Sequence, residues 1–260
     1  MKPLTSIPGV PPLIACFCLL LAWEGIARFV GLDSLPTAWE SLKELPAILK
    51  DPRSLYDIIS SVRRMVTGFA LAFCFAVPVG LLMGRSRKVA AFFNPLFMMI
   101  YPVPKAALMP IIMLWLGIGE ASKTLVIFLG VSLPLIYHTY QGSKAVGEKL
   151  LWSGAAMGMS KREQLLRIVL PAAMPEIMVG ARTGLVLALI TMVTSEMIVR
   201  QAGIGNLLFN SLDLAQYATT YATIVIVGCL GFVLDLLFEK ARGIVVGWAD
   251  PVHQIAVGSA

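Results

Sequence analysis

Two ionisable residues stand inside apolar stretches of the sequence, where a charge is costly and usually serves a function. Lys105 follows the motif Tyr101-Pro-Val-Pro104, and Glu196 lies in Ser195-Glu-Met197 near the end of an apolar run. A lysine ammonium in this setting could attract an anion, and we predict that role for Lys105. A position at the membrane interface or an ion pair with Glu196 would explain it as well. Glu196 could instead pair with Arg200, one helical turn later, or act as a gate.

The residues that enzymatic chemistry requires do not form a recognisable set. The two histidines, His138 and His253, are far apart and belong to no His-Glu-x-x-His metal motif, and no partner is evident for His138. The cysteines lie in apolar runs and are expected to pack as small hydrophobic side chains: Cys16, Cys18, Cys74 and Cys229. No Gly-x4-Gly-Lys-Ser/Thr loop is present to hold nucleotide phosphates. We therefore predict no catalytic residue, no metal site and no cofactor bound by this chain.

The composition indicates that these residues are held in a membrane. Of the 260 residues, 58% are hydrophobic and 14% are charged, whereas a soluble domain has roughly 25% charged residues. The apolar runs have the length of bilayer-spanning helices, about 20 residues, and a helix satisfies its own backbone in lipid. The net charge of +6 comes mainly from the ends of these runs, so it indicates topology rather than nucleic-acid binding. The predicted fold class is an all-α membrane protein.

We predict six transmembrane helices, at 10–30, 65–84, 90–116, 124–141, 177–198 and 217–238. They divide the chain into an N-terminal helix with an amphipathic segment (1–64), a core of five helices (65–245) and a tail (246–260). Six spans place both termini on one side. Basic residues are slightly more numerous on that side, which favours cytoplasmic termini, although Arg63-Arg64 counts against it.

The third predicted span is interrupted by several prolines. Broken helices at membrane depth often line a cavity, so this span is the best candidate for a translocation pathway. Simple kinks packed against neighbouring helices would also explain the prolines. The residues predicted to line the pathway are Tyr101, Pro102, Pro104, Lys105, Ser195 and Glu196.

A charged segment, 142–175, separates the fourth and fifth predicted spans. Ser160 and Glu163 have the spacing of a capping box, which predicts a helix start. Gly158 is suited to end a preceding helix over 146–157. The segment therefore predicts a helix, a glycine corner and a second helix. It could be a connector at the membrane surface or a docking element for a soluble partner.

Two further patterns concern how the helices continue and pack. Pro171 and Pro175 are expected to interrupt or restart the second helix of the segment. Small residues four apart let membrane helices approach closely, and chance in a chain with 22 glycines explains such pairs equally well. The pairs are Gly80 with Gly84 and Gly180 with Gly184.

The segment 142–175 resembles the EAA loop of the membrane permease subunits of bacterial ABC importers. That loop has Glu-Ala-Ala, three residues, Gly, a helix and an aliphatic-x-Leu-Pro ending; here Gly158 precedes Ile168-Val-Leu-Pro171. The resemblance is to nitrate/sulfonate/taurine-type permeases and covers roughly residues 30–245. The motifs that carry it are Tyr101-Pro-Val-Pro104, Leu114-Trp-Leu-Gly-Ile-Gly-Glu120, Ser122-Lys-Thr124, Gly158-Met-Ser160, Leu170-Pro-Ala-Ala-Met-Pro175, Ser195-Glu-Met197 and Gly203-Ile-Gly205. The Glu-Ala-Ala positions, however, fall on Trp152-Ser-Gly154, and Glu148 is the nearest substitute for the glutamate.

The resemblance implies a type I ABC importer permease fold in the bacterial inner membrane, with the loop and both termini cytoplasmic. The implied partners are a second permease copy, two ATPase subunits and a periplasmic substrate-binding protein, besides the lipid bilayer. ATP would be bound by the partner ATPase, whose closure would rock the spans between inward-open and outward-open states. The expected solute is a small anion such as nitrate, a sulfonate or taurine. The residues expected to couple to the ATPase are Ala155, Ala156, Met157, Gly158, Met159, Ser160 and Lys161.

Two other classes of membrane protein are weighed against this one. A secondary transporter or channel of six helices would predict paired intramembrane carboxylates or inverted repeats, and neither is evident in the sequence. A membrane enzyme would need a metal set or a nucleophile with its base, which the sequence does not offer.

Overall fold

The computed structural model describes residues 10–249, and for residues 10–13 only the backbone. The described part of the chain is helical and contains no strand, which confirms the predicted all-α class. Its helices are α1 Val10–Val30, α2 Ala38–Lys50, α3 Pro52–Arg85, α4 Arg87–Ile100, a 3-10 turn Lys105–Leu108, α5 Met109–Leu116, α6 Glu120–Ala145, α7 Glu148–Ala156, α8 Lys161–Gln164, a π-helical turn Leu165–Val169, α9 Leu170–Val199, α10 Ile204–Asp213 and α11 Tyr217–Val246.

Four helical stretches within residues 10–249 are long and apolar enough to cross a bilayer: Pro52–Arg85, Glu120–Ala145, Lys161–Val199 and Tyr217–Val246. A fifth span is possible if Arg87–Ile100 and Lys105–Leu116, which are bent by 85° relative to each other, count as one. The first predicted span coincides with α1, which has 21 residues. Most of the predicted tail, from residue 250 onward, lies outside the described residues, as does His253.

Helices α3, α6 and α9 form the centre of the molecule, and glycines make their close packing possible. A Cβ at Gly80 of α3 would lie 2.5 Å from the Cβ of Thr139 on α6. A Cβ at Gly180 of α9 would lie 2.6 Å from the Cβ of His138, also on α6. Gly84 and Gly184 likewise lie against α6, at Ser143 and Val131. The glycines of both predicted pairs therefore lie at contacts between helices, and their spacing is not a chance result of the high glycine content.

Pro171 and Pro175 were expected to interrupt or restart the helix: neither interrupts the stretch Lys161–Val199, which has 39 residues, but Pro171 does stand at the start of a new α-helical segment, α9. Pro171 cannot donate a backbone hydrogen bond to the preceding turn. That turn widens into the π-helix Leu165–Val169, and the N–H of Leu170 donates to Leu165 five residues back. Pro171 therefore opens a new α-helical segment, where no N–H is required. At 1.5 Å per residue the stretch is roughly 58 Å long, so it extends beyond the hydrocarbon core.

Helix α3 begins well before the predicted second span, and the proposed boundary at residue 64 falls inside it. Asp51 caps the helix by accepting a hydrogen bond from the N–H of Ser54 at 2.9 Å, and Pro52 follows at the first helical position. The polar residues before Met65 thus continue the span as a helix instead of forming a loop. This extension carries polar side chains into the centre of the molecule.

The predicted amphipathic segment forms α2, which packs against α11. A complete capping box begins it, with Thr37 and Glu40 bonded reciprocally. The hydrogen bond from the backbone N–H of Thr37 holds the pKa of the Glu40 carboxyl below its usual range. The indole Nε1 of Trp23 on α1 donates to the carbonyl of Pro36 at 3.1 Å. The N-terminal helix is thereby attached to the start of α2.

Candidate functional site

The turn between α7 and α8, residues 154–164, is here called the α7–α8 corner. Its backbone forms a Schellman motif: the N–H of Met159 donates to the carbonyl of Gly154, and that of Gly158 donates to Ala155, both at 3.0 Å. Gly158 has φ +80°, a left-handed conformation that costs other residues roughly 1–2 kcal/mol. The prediction that Gly158 ends a helix is confirmed.

The second side of the corner is fixed by the predicted capping box. The N–H of Ser160 donates to Glu163 Oε2 at 2.9 Å, and the N–H of Glu163 donates to Ser160 Oγ at 3.3 Å. The corner is pressed against the π-helical turn, since a Cβ at Gly154 would lie 2.6 Å from Ile168 Cδ1. Gly154 occupies one of the EAA positions, so the close approach explains why a small residue stands there.

The corner presents its residues to the outside of the chain. Of the seven residues predicted to couple, Met159 is half-buried and the others are exposed: Ala155, Ala156, Met157, Gly158, Ser160 and Lys161. Two large apolar side chains are also exposed there, Met157 at 74% and Trp152 at 65%. Trp152 therefore projects outward from the position at which the EAA motif has its glutamate. An exposed apolar surface with adjacent lysine and arginine is suited to a protein partner.

A second constellation lies at the other ends of the same helices and was not predicted from the sequence. It is here called the buried charge cluster, and its residues come from α3, α6 and α9. Its centre is Arg64, only 1% exposed, whose guanidinium forms ion pairs with Glu196 and Glu120. Its Nε donates to Glu120 Oε2 at 3.1 Å. The members are Asp57, Ser61, Arg64, Glu120, Lys123 and Glu196.

The buried charge cluster binds the turn that joins α9 to α10. Backbone N–H groups of this turn donate to side chains of the cluster, Gly203 to Asp57 at 2.9 Å and Gly205 to Glu196 at 3.0 Å. In the opposite sense, Lys123 donates to the carbonyl of Ala202 at 3.0 Å. The motif Gly203-Ile-Gly205 therefore supplies the backbone donors of a hydrogen-bond network that holds this turn against the buried charge cluster. Ser61 completes it, accepting from the N–H of Ile204 and donating to the Glu196 carboxylate, each at 2.8 Å.

Glu196 and Ser195 are fully buried inside this chain. The alternative that Glu196 pairs with Arg200 is wrong, because Arg200 forms its ion pair with Asp213. The Ser195 hydroxyl donates to the carbonyl of Met192 in its own helix. Because neither side chain is exposed, the geometry favours a role in the buried charge cluster for Glu196, and a bond within its own helix for Ser195, over roles in a pathway. Arg64 is one of the two basic residues that disagreed with cytoplasmic termini. Because it is neutralised by carboxylates inside the chain, it is not a charge in a loop.

The sequence carried one signal for this cluster. Asp57, Ser61 and Arg64 are spaced i, i+4, i+7, so they share one face of a helix. The predicted second span starts only at residue 65, so this polar helix face was left outside it. Nothing local indicated that the face would meet Glu196, which is 132 residues further along the chain.

The interrupted third span contains the remaining predicted pathway residues. Tyr101, Pro102 and Pro104 lie between α4 and the 3-10 turn, and all three are exposed. The ammonium of Lys105 donates to three carbonyls at the break, those of Ile100 at 2.6 Å, Val103 at 2.7 Å and Tyr101 at 3.2 Å. An ammonium has three donors, so Lys105 satisfies the backbone that the prolines leave unpaired. An ion pair with Glu196 is not formed.

His138 does have a partner, contrary to the prediction. Its Nδ1 lies 2.8 Å from Oε1 of Glu176 on α9. Within the described residues, no three His, Cys, Asp or Glu side chains come together in a group that could hold a metal ion.

Comparison with known proteins assigns the family. Residues 76–240 match the model of the binding-protein-dependent transport system inner membrane component. A putative ABC transporter permease protein of Methanocaldococcus jannaschii is 34% identical over 222 residues, covering 83% of each chain. The taurine transport system permease protein of Escherichia coli is 29% identical and covers 90% of this chain and 88% of its own. A putative aliphatic sulfonates transport permease protein of Bacillus subtilis is 30% identical, with 89% and 85% covered.

The fold is also that of a solved importer. A chain from the inward-facing structures of the MetNI methionine ABC transporter superposes with a TM-score of 0.65, covering 74% of this chain and 95% of that one, at 14% identity. This likeness confirms the predicted type I importer permease fold. The chain belongs to the family of binding-protein-dependent transport system inner membrane components and is a membrane-spanning permease subunit of an ABC importer.

Proposed function

We propose that this chain carries a small anion across the inner membrane and that the α7–α8 corner is the surface on which a separate ATPase docks. Membership of the family implies an ATPase partner and a substrate-binding protein. The observation that carries the docking proposal is the exposed corner at the end of one 39-residue helical stretch, which continues to the buried charge cluster. A force on the corner would therefore act along the length of the span.

The anionic substrate class is supported by the relatives. The taurine and aliphatic-sulfonate permeases are named for solutes that carry an anionic sulfonate group, and this chain resembles nitrate permeases in its motifs. The permease is proposed to work as a homodimer with two ATPase subunits. The bent segment, formed by Arg87–Ile100 and Lys105–Leu116, exposes large apolar side chains that a second copy would cover, together with lipid: Met98, Met99, Tyr101, Leu114 and Trp115. Both termini are proposed to be cytoplasmic, on the side of the corner.

Co-purification with the ATPase tests the docking proposal. In Gly158→Val, a β-branched side chain is forced into a left-handed backbone position, so the corner should unfold locally and the ATPase should be lost from the complex. Gly147→Ala is the matched control, because this nearby glycine has φ −61° and open space around its Cβ position. Retention of the ATPase by the Gly158→Val variant at the level of Gly147→Ala would overturn the proposal.

A further inference from the structure

A cavity of about 700 Å3 opens between the bent segment, α6 and α9. This volume is within the usual range for small-molecule sites. Its wall is apolar and aromatic, and none of the lining residues is Asp, Glu, Lys or Arg. Seven lining residues carry groups that can hydrogen-bond a ligand: Asn94, Tyr101, Tyr137, His138, Tyr140, Gln141 and Thr183.

The histidine of this wall is held by a reciprocal arrangement of two helices. His138 and Gly142 lie one turn apart on α6, and Glu176 and Gly180 lie one turn apart on α9. Each long side chain is placed against the other helix's glycine: a Cβ at Gly180 would lie 2.6 Å from His138 Cβ, and one at Gly142 would lie 2.8 Å from Glu176 Cβ. The two glycines let the backbones approach closely enough for the pair to form across the helices.

This arrangement leaves one ring nitrogen of His138 for a ligand. Nδ1 is 2.8 Å from the Glu176 carboxylate, so Nε2 is the free nitrogen, and in the imidazolium form it is a donor. The edge-on contact with Tyr137, with ring centroids 5.6 Å apart, further fixes the ring. The other polar groups of the wall are hydroxyls and amides, which can also donate to an oxyanion.

We propose that this cavity is the intramembrane site for the transported anion and that His138 is a specificity-determining residue that contacts its oxygens. The proposal rests on the proposed import of a small anion and names the site for it. Lys105, the residue expected to attract the anion, is engaged by backbone carbonyls at the break next to the cavity. It keeps Tyr101 in place at the cavity wall and puts a positive charge nearby.

Uptake into proteoliposomes that hold this chain with its ATPase and binding protein tests the site, with radiolabelled taurine and nitrate as probes. His138→Phe should lower uptake at least tenfold while ATP hydrolysis stays within twofold, and His138→Gln should retain uptake with a changed taurine-to-nitrate ratio. Thr139→Val is the control, because Thr139 lies against Gly80 of α3, away from the cavity; it should stay within twofold. Unchanged uptake and ratio in both His138 variants would overturn the cavity proposal alone.

Glu176 acts through His138, and kinetics distinguish this from a purely structural role. In Glu176→Gln a neutral amide replaces the carboxylate, so it no longer favours the doubly protonated ring, the form in which Nε2 donates to the anion. The KM for taurine should rise several-fold with the maximal rate within twofold. An unchanged KM would contradict the positioning role. If the unaltered complex takes up neither taurine nor nitrate, the proposed anion import fails, and the cavity proposal fails with it.

A cysteine probe tests the cavity proposal if the His138 variants do not assemble. Thr183→Cys is placed in the full chain after the four native cysteines are changed to Ala, and its alkylation rate is measured in the complex. Taurine or nitrate should slow alkylation at least threefold. A chain that keeps only Cys229, which is exposed outside the cavity, should be alkylated at the same rate with and without the anion. Equal protection at both positions, or none at Thr183→Cys, would overturn the site.

Discussion

The α7–α8 corner and the buried charge cluster lie at opposite ends of the same helices and are built in opposite ways. The corner is exposed and is stabilised by hydrogen bonds between residues close in sequence, as in the motif from Gly154 to Glu163. Apart from Glu120, whose side chain is 53% exposed, the cluster is buried, and it joins residues up to 146 positions apart. The first can give way locally and presents a surface to a partner. The second resists local change, because removing Arg64 leaves the buried carboxylate of Glu196 without its cation.

Removal of Arg64 is expected to have the largest effect. Arg64→Ala leaves Glu196 buried without its cation, and breaking a buried pair in this way costs about 3–5 kcal/mol. The neighbouring Arg63→Ala is the control, since that side chain is 64% exposed and exposed substitutions usually cost within about 0.5 kcal/mol. Thermal unfolding of the purified protein in detergent measures the difference. Equal thermal stability of the two variants would show that the buried charge cluster does not stabilise the fold.

Two of the four glycines with positive φ in the described part of the chain, Gly158 and Gly203, give the next comparison. Gly203→Ala places a Cβ on the Glu196 carboxylate at φ +123°, whereas Gly158→Ala has nothing within 4 Å of the Cβ at φ +80°. Gly158→Ala should therefore lower the free energy of unfolding only by the cost of a left-handed backbone conformation, about 1–2 kcal/mol. Gly203→Ala should lower it clearly more. The free energies of unfolding in the same detergent test the order. A reversed order would mean that the turn at Gly203 is free to move away from Glu196.

How far the sequence predicts each region follows from the same contrast. The corner is specified locally by Gly158, Ser160 and Glu163, and each of these was predicted correctly. The cluster depends on helices meeting from distant parts of the chain, and Arg64 and Glu196 have no local pattern that pairs them. At Pro171 the α-helix restarts as the sequence allowed, but the π-helical turn that keeps the stretch continuous there was indicated by no local rule.

The removal of one cap in the corner is expected to have a moderate effect. Ser160→Ala deletes the acceptor of the Glu163 N–H, which typically costs about 1 kcal/mol. Because the cap acts on the first turn of α8, the variant should remain folded but stimulate its ATPase less on addition of loaded binding protein. Ser160→Asp retains an N-cap acceptor and should restore the stimulation. A Ser160→Asp variant as weak as Ser160→Ala would argue that the hydroxyl contacts the partner directly.

The smallest effect on stability is expected at Trp152. Its side chain is 65% exposed, so Trp152→Glu should change the free energy of unfolding by no more than about 0.5 kcal/mol. Large aromatic residues often anchor interfaces, so the same variant should weaken ATPase binding, measured as the dissociation constant. Tighter binding would show that the EAA glutamate position keeps its usual function in this chain.

Cross-linking to the ATPase tests the central claim most directly. After the four native cysteines are changed to Ala, single cysteines are introduced at Ala155, in the corner, and at Leu214, an exposed residue at the opposite end beyond α10. A short bifunctional reagent should link the ATPase to Ala155→Cys and leave Leu214→Cys unlinked. Linkage at Leu214→Cys with none at Ala155→Cys would contradict both the docking surface and the orientation of the chain in the membrane.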